Sequence, residues 1–532
     1  MTHFAKRLGV PAALATLAAT GPAAAQGLDE AVNSVFASST GWFVSFIFSS
    51  FPGTSFPWIV GWLVVAATIF TIYFGFIQFR AFGHSIALVR GDYSDPNDAG
   101  EVSHFQALAT ALSGTVGLGN IAGVAVAIGI GGPGATFWMI LAGLLGMASK
   151  FTECTLGVKY RNEYEDGHVS GGPMYYMTKG FSERGVGGGK VLAVLFSIFC
   201  ILGAFGGGNM FQSNQAHAQL ANVFGDYPGW ITGLVFALIV FMVIVGGIKA
   251  IAQVTERVVP FMGILYVGTA LIIILLNYDQ IGNAFGQIFR GAFTWDGAVG
   301  GATGALIQGF RRAAFSNEAG VGSAAIAHSA VRTNEPITEG FVSLLEPFID
   351  TIVICTMTAL VIIITGQLVT DPQTGMFVLN ESGDAIQTLS GNSGVALTSA
   401  AFSESFGWFR YILALAVVLF AFSTMISWSY YGLKAWTFLF GEGRTKELVF
   451  KVIFCIFTWI GAAASLGPVI DFSDAAIFAM AVVNIFCLYF LMGLVKTELV
   501  SYASRLSAGE IRKSRFGVYA EWCLWSAIHV TR

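Results

Sequence analysis

Ser113, Thr115 and Asn120 are the residues of this chain best suited to chemistry. They alternate with glycines in the run Ser113-Gly114-Thr115-Val116-Gly117-Leu118-Gly119-Asn120. The run sits within Val102 to Ser149, which has no Asp, Glu, Lys or Arg and is long enough for two membrane crossings. Each glycine weakens a helix by about 1 kcal/mol. In lipid a broken helix is tolerated only where the freed backbone groups find partners or line a cavity. Freed carbonyls ligate a cation, and the N-terminus of the half-helix that follows holds a carboxylate. Asn120 offers an acceptor to a cation and a donor to a substrate. The competing role is a glycine seam for close helix packing. That role fits Gly123, Gly129, Gly131, Gly132 and Gly134 better than 113–120, where polar side chains sit among the glycines.

A second region has the same character. Residues 316–323 read Ser-Asn-Glu-Ala-Gly-Val-Gly-Ser, and Gly300-Gly301-Ala302-Thr303-Gly304 lies upstream. Residues 297–330 are too long for one straight crossing, so a break or an extension is expected there.

Membrane-spanning helices must position these residues. The chain has 532 residues, 55% apolar and only 11% charged, with a mean hydropathy of +0.70. An ordinary soluble domain carries about 25% charged residues. Soluble globular, disordered and nucleic-acid-binding classes are therefore excluded, and a net charge of −4 points to no polyanionic partner. The expectation is an all-α polytopic membrane protein with about eleven transmembrane helices. They fall near 57–79, 104–130, 135–158, 190–212, 229–248, 253–277, 297–330, 338–368, 409–433, 448–468 and 474–496. Crossings two and seven each open a block of five, and five-helix blocks alternate in orientation. Two interrupted helices at matching places predict an inverted repeat with a midplane site.

Lys6 and Arg7, the apolar stretch Leu8 to Ala19, and Ala23-Ala24-Ala25 have the order of a secretory leader, cleaved after Ala25. Of the 27 Lys and Arg residues, two belong to that leader, and only Arg290 and Arg410 fall on the outer side. The positive-inside rule then places the mature N-terminus outside and the C-terminus in the cytoplasm of a bacterial-type inner membrane. The expected organisation is a leader (1–25), a periplasmic or interfacial segment (26–56), an extra first helix (57–80), repeats at 102–277 and 297–498, and a cytoplasmic tail (499–532). Residues 366–408 form a long outer loop, either a lid or a solvated connection. Five of the six cysteines lie in apolar runs without a C-x-x-C pair, which suggests small buried hydrophobes. Trp522 and Trp525 in the last residues suggest contact with the membrane surface, without a functional account.

Several longer motifs carry a family resemblance. Gly100-Glu101-Val102-Ser103-His104-Phe105-Gln106-Ala107-Leu108, the run 113–135 through Gly131-Gly132-Pro133-Gly134-Ala135, Gly171-Gly172-Pro173-Met174-Tyr175-Tyr176 and Phe315-Ser316-Asn317-Glu318-Ala319-Gly320 resemble signatures of the alanine or glycine:cation symporters. The resemblance covers about residues 55–510. It implies the amino-acid/polyamine/organocation, leucine-transporter-like fold and Na⁺-driven uptake of alanine, glycine or a similar small neutral amino acid. Val116-Gly117-Leu118-Gly119-Asn120 is also similar to the unwound first core helix of neurotransmitter:sodium symporters. That likeness implies one cation at the Thr115 carbonyl and Asn120, and another at carbonyls near Ser113 and Val116. Ser423-Thr424 on the ninth crossing would complete the second cation site. Hydroxyls that bond back to their own helix are the equal alternative.

The expected substrate set is Gln106, Gly114, Thr115, Gly117, Gly119, Asn120, Phe315 and Trp428. The expected cation set is Ser113, Thr115, Val116, Asn120, Ser423 and Thr424. No catalytic residue and no cofactor besides the coupling Na⁺ is expected; H⁺ is the alternative ion. Phe310, Phe315 and Trp428 are candidate aromatic gates. Glu346 and Asp350, at i and i+4, would share a helix face and pair with Arg311 and Arg312 or line the pathway. Glu153 would pair with Lys150, and His217 reads as a satisfied polar residue. The rival classes are an ion channel and a membrane enzyme. No nucleophile–base motif supports the enzyme.

Overall fold

The computed structural model describes residues 40–165, 167–294, 301–371, 373, 377–389 and 391–513. The leader, Gly300 and the tail with Trp522, Cys523 and Trp525 lie outside the described residues. The principal helices are α1 (Trp58–Tyr73), α2 (His104–Thr115 with Gly119–Gly131), α3 (Gly134–Lys159), α4 (Gly189–Phe224), α5 (Gly229–Ile244) and α6 (Gly247–Leu276). They continue as α7 (Gly301–Asn317 with Ser323–His328), α8 (Pro336–Ile364), α9 (Phe409–Phe440), α10 (Arg444–Ala463) and α11 (Leu466–Ser507). α3, α4, α6, α8, α9 and α11 are each long and apolar enough to cross a membrane, and the bent α2 is a seventh candidate. α1 and α5 are shorter apolar helices. A two-stranded antiparallel hairpin, Asn162–Glu163 with Val169–Ser170, is a minor addition.

The core is built around the helices with interrupted backbones. α2 bends by 49° at its break. α4 carries a π turn at Gly206–Met210, and α8 carries one at Phe348–Cys355. Such turns frequently mark functional sites. The outer surfaces of α5 and α6 carry exposed Leu234, Leu238, Ile264 and Leu275, as lipid-facing helices do.

The connection 366–408 does not hang free in solvent. Val395–Ser405 is helical. Thr398 Oγ1 donates to the Ile121 carbonyl at 3.1 Å, and the Ile386 N–H donates to the Gly129 carbonyl at 2.6 Å. Both acceptors lie on the second half of α2, so the loop docks on the broken helix. The segment before α1 packs as well: Phe43 stacks on Phe199, and Phe48 meets both Phe478 and the Arg311 guanidinium, while Trp42 and Phe46 stay exposed.

Candidate functional site

The break in α2 follows from where its amides donate. In an unbroken helix the Gly117 and Leu118 N–H groups would donate to the Ser113 and Gly114 carbonyls. Here Gly117 N–H donates to Asn120 Oδ1 at 2.9 Å, and Leu118 N–H donates to Gln212 Oε1 at 3.0 Å. Asn120 N–H turns to the Gly117 carbonyl at 3.2 Å rather than to Val116. The Ser113, Gly114 and Val116 carbonyls are thereby released from their usual helical donors, all in the buried centre of the protein. Gln212, two residues past the α4 π turn, is itself fixed by donating to the Gly207 carbonyl at 2.8 Å.

Asn120 also joins the break to α8. Its Nδ2 donates to Asp350 Oδ1 at 2.6 Å and to the Asp350 carbonyl at 3.1 Å. Ser316 Oγ of α7 donates to the same carboxylate at 3.2 Å, and Thr351 Oγ1 at 2.7 Å. Asp350 is fully buried. Among the described residues no basic side chain forms an ion pair with it. This cluster of Asn, Ser, Thr and carboxylate oxygens has the donor set of a hard-cation site.

A second polar surface comes from α9. Ser427 Oγ donates to the Thr110 carbonyl at 2.9 Å, and Ser113 Oγ donates to the Ser423 carbonyl at 2.6 Å, holding α9 against α2. The Ser423 hydroxyl bonds back to the Phe420 carbonyl at 3.0 Å. Thr424 Oγ1 does not: it is buried and finds no partner among the described residues. It lies 2.4 Å from where a Cβ on Gly117 would stand, so glycine is needed for this approach. The Tyr431 hydroxyl, also buried and unpartnered, faces Gly114 in the same way, at 2.8 Å. Thr115 Oγ1 is turned back to the Ala111 and Leu112 carbonyls.

The break in α7 spans Glu318 to Gly322. Asn317 Oδ1 accepts from Ala319 N–H at 3.0 Å, and its Nδ2 donates to Thr351 Oγ1 at 2.9 Å. A Cβ on Gly119 would stand 3.4 Å from both Phe315 Cδ1 and Ser316 Cα, so the two interrupted helices meet at their breaks. Phe315 packs edge-on to Phe211 and lies 5.2 Å from the Arg312 guanidinium. Trp428 Nε1 donates to Glu318 Oε1 at 2.9 Å. A cavity of about 450 Å³ lies farther along α4, lined by Asn214, Gln215, His217 and Ser393.

The sequence-predicted residues therefore separate into groups. Ser113, Gly114, Val116, Gly117, Gly119, Asn120, Phe315, Thr424 and Trp428 are gathered around the two breaks. Ser423 and Thr115 are beside them with hydroxyls already committed to backbone carbonyls. Gln106 is not there. It forms a capping box with Ser103 at the start of α2 and donates to Glu256 at 2.8 Å, about 13 Å along the helix from Thr115. Phe310 packs toward Trp138 of α3. His217 contacts Thr232 at 3.1 Å, as a satisfied polar residue does.

The buried charges pair differently from the sequence expectation. Glu346 and Asp350 take different partners: Lys150 and His328 for the first, Asn120, Ser316 and Thr351 for the second. Arg311 and Arg312 pair with Asp474 of α11 instead. Lys150 does pair with Glu153, at 4.0 Å, as expected, and pairs more closely with Glu346, at 3.2 Å. His328 bridges Glu346 and Glu339 at 2.5 and 2.6 Å, and His104 reaches Glu339 at 2.5 Å. Asn484 of α11 donates to Glu153 and to the Gly320 carbonyl, each at 2.9 Å. This chain of buried groups ties the start of α2 and the end of α7 to α3, α8 and α11. Gln212 was absent from the sequence expectation. Ser316 and Glu318 were noted only within the second glycine-rich region and Asp350 only as a pathway candidate; the mutual approach of the helix interruptions joins them to the first break.

Comparison with known proteins gives the family and the fold. A family model described as the sodium:alanine symporter family matches residues 42–516. The sodium/alanine symporter AgcS of Methanococcus maripaludis is 39% identical over 459 residues, covering 86% of this chain and 95% of that protein. The probable sodium/glutamine symporter GlnT of Bacillus subtilis is 34% identical over 456 residues, covering 84% of this chain and 89% of that one. The crystal structure of MhsT in complex with L-phenylalanine matches with a TM-score of 0.53 at 14% identity, over 79% of this chain and 94% of that chain. That likeness establishes a leucine-transporter-like fold. The chain is a multi-pass membrane transporter for an amino acid and Na⁺, not an enzyme: it belongs to the sodium:alanine symporter family.

Proposed function

We propose that this protein imports a small neutral amino acid, alanine or glycine, together with Na⁺ by alternating access. The carrying observation is the meeting of two interrupted helices around oxygens released from helical pairing: the Ser113, Gly114 and Val116 carbonyls, beside the buried Thr424 hydroxyl that has no partner among the described residues. One cation is held by Asn120, Asp350, Ser316 and a carbonyl of the α2 break. Asp350 is a buried carboxylate without a basic partner among the described residues, and a bound cation offsets the large desolvation cost of such a group. A second cation lies between the Ser113 and Val116 carbonyls and Thr424.

The amino acid lies between the breaks, against Gly117, Gly119, Phe315 and Trp428. The N-terminal end of the second half of α2 turns its positive dipole end toward the substrate carboxylate. Two large aromatics beside glycine backbone favour a small side chain. Cation and substrate favour the same closed state, so each raises the affinity of the other. The arrangement is that of eleven crossings with inverted repeats at 102–277 and 297–498. The N-terminus is outside and the C-terminus cytoplasmic, in a bacterial-type inner membrane.

The test is uptake of radiolabelled alanine and glycine into proteoliposomes with an inward Na⁺ gradient, beside a K⁺ control and a pH gradient. Accumulation above equilibrium only with Na⁺ is the expected result. Accumulation on the pH gradient alone replaces Na⁺ with H⁺, for which Asp350 is the acceptor. No accumulation under either gradient overturns the substrate assignment.

A further inference from the structure

Glu318 combines two unfavourable features. It is one of two non-glycine residues with a positive φ among the described residues, at +56°. Gly320 and Gly322 in the same break have φ values of +82° and +91°. Glycine adopts that conformation freely, and a residue with a Cβ does not. Its carboxylate is also buried. Among the described residues no Lys, Arg or His forms an ion pair with it. Strained, desolvated residues of this kind persist where the side chain has work that glycine cannot do.

Its two donors show what that work is. Ser323 Oγ, at the start of the second half of α7, donates to one carboxylate oxygen. Trp428 Nε1 donates to the other at 2.9 Å. The indole is buried and otherwise held by shape alone. A Cβ on Gly208 would stand 2.2 Å from Trp428 Cγ, and one on Gly203 would stand 3.4 Å from Cζ3. Tyr431 approaches the ring at a steep angle, with centroids 5.4 Å apart. Shape fixes the plane of the ring against α4. The bond to Glu318 fixes its tilt across the α7 break and uses the one N–H donor that an indole has.

We propose that Glu318 is a positioning residue: it holds the Trp428 indole across the second break and through it sets which substrate side chains the pocket accepts. This rests on the substrate lying between the two breaks.

The test uses the full-length chain in proteoliposomes and measures KM, kcat and Na⁺ half-saturation for alanine, together with the preference for alanine over leucine. E318A is expected to raise the alanine KM about tenfold and to narrow the alanine-to-leucine preference by a similar factor, because a buried indole N–H loses its acceptor. Na⁺ half-saturation, measured at saturating alanine so that linkage to the weakened substrate does not enter, is expected to stay near the wild-type value. E318Q keeps an acceptor oxygen and restores most of the preference. W428F reproduces the E318A phenotype, and E318A/W428F is no worse than W428F alone, since both act through one contact. Additive losses in the double variant overturn the proposal, as do wild-type KM and preference in E318A. Equal damage in E318Q and E318A also overturns it, since then the charge rather than the acceptor matters. If E318A does not fold, the comparison of E318Q with W428F still decides, because a positioning role requires that only W428F lose the preference. Failure of the wild-type chain to accumulate alanine on a Na⁺ gradient would remove the site reading itself. An additive cycle with an active wild type removes the positioning role alone.

Discussion

Replacing Asn120 by alanine tests the centre of the site. Asn120 accepts the Gly117 N–H at 2.9 Å and donates to the Asp350 carboxylate at 2.6 Å. Truncation leaves a buried backbone N–H without its acceptor, at about 1–3 kcal/mol, and removes a donor from a buried carboxylate, at about 1.5–3 kcal/mol. The total is about 2.5–6 kcal/mol. Part of it falls on the fold and part on the cation, because both lost bonds shape the same oxygen cluster. If half falls on the cation, Na⁺ binding weakens by about 10–150-fold. The assay is alanine uptake as a function of Na⁺ concentration in proteoliposomes, beside thermal unfolding of the purified variant in detergent with and without Na⁺. The expected result is a large rise in half-saturating Na⁺ and loss of the Na⁺-induced thermal shift in a protein that still folds. A folded variant whose Na⁺ half-saturation stays within about twofold of wild type refutes the assignment of the α2 break as a cation site.

Thr424→Ala should raise the Na⁺ requirement about tenfold, whereas Ser423→Ala should change it less than about twofold, because Ser423 bonds back to its own helix and keeps the carbonyl that Ser113 uses; equal effects in uptake titrations would count against the second cation site. Gly208→Ala drives a methyl to 2.2 Å from Trp428 Cγ; overpacking of about 1–3 kcal/mol should lower the thermal midpoint, and an unchanged midpoint would contradict the packing of α4 on α9. Lys150→Ala leaves Glu346 without its lysine and should destabilise by about 3–5 kcal/mol, while Lys150→Ala with Glu346→Ala recovers part of that loss in the same melt.

The glycine-interrupted run 113–120 was legible as a helix break because composition and membrane physics act locally. An uncharged stretch must be helical in lipid, and clustered glycines with polar neighbours mark where it fails to be. The helix ends followed from hydropathy to within a few residues for α3 and α5. The connection 366–408 was less readable. Its Gly, Ser, Thr and Asn content is that of a solvated loop, yet it docks on the second half of α2 through Thr398 and Ile386.

Partner choice among buried polar groups is where the two levels part. The sequence by itself determined a polytopic helical membrane protein, its two glycine-rich interruptions and the gathering of Asn120 with the glycines around it, because these depend on residues near one another in the chain. Only the tertiary structure decided that Asp350 serves the first break while Glu346 serves Lys150 and His328, since it sets which neighbouring helix each carboxylate of α8 meets. The tertiary structure also separated Thr424 from Ser423 and joined Glu318 to Trp428 across 110 positions. A buried polar group must find a partner wherever the packing brings one, and spacing along the chain carries no record of which helix that will be.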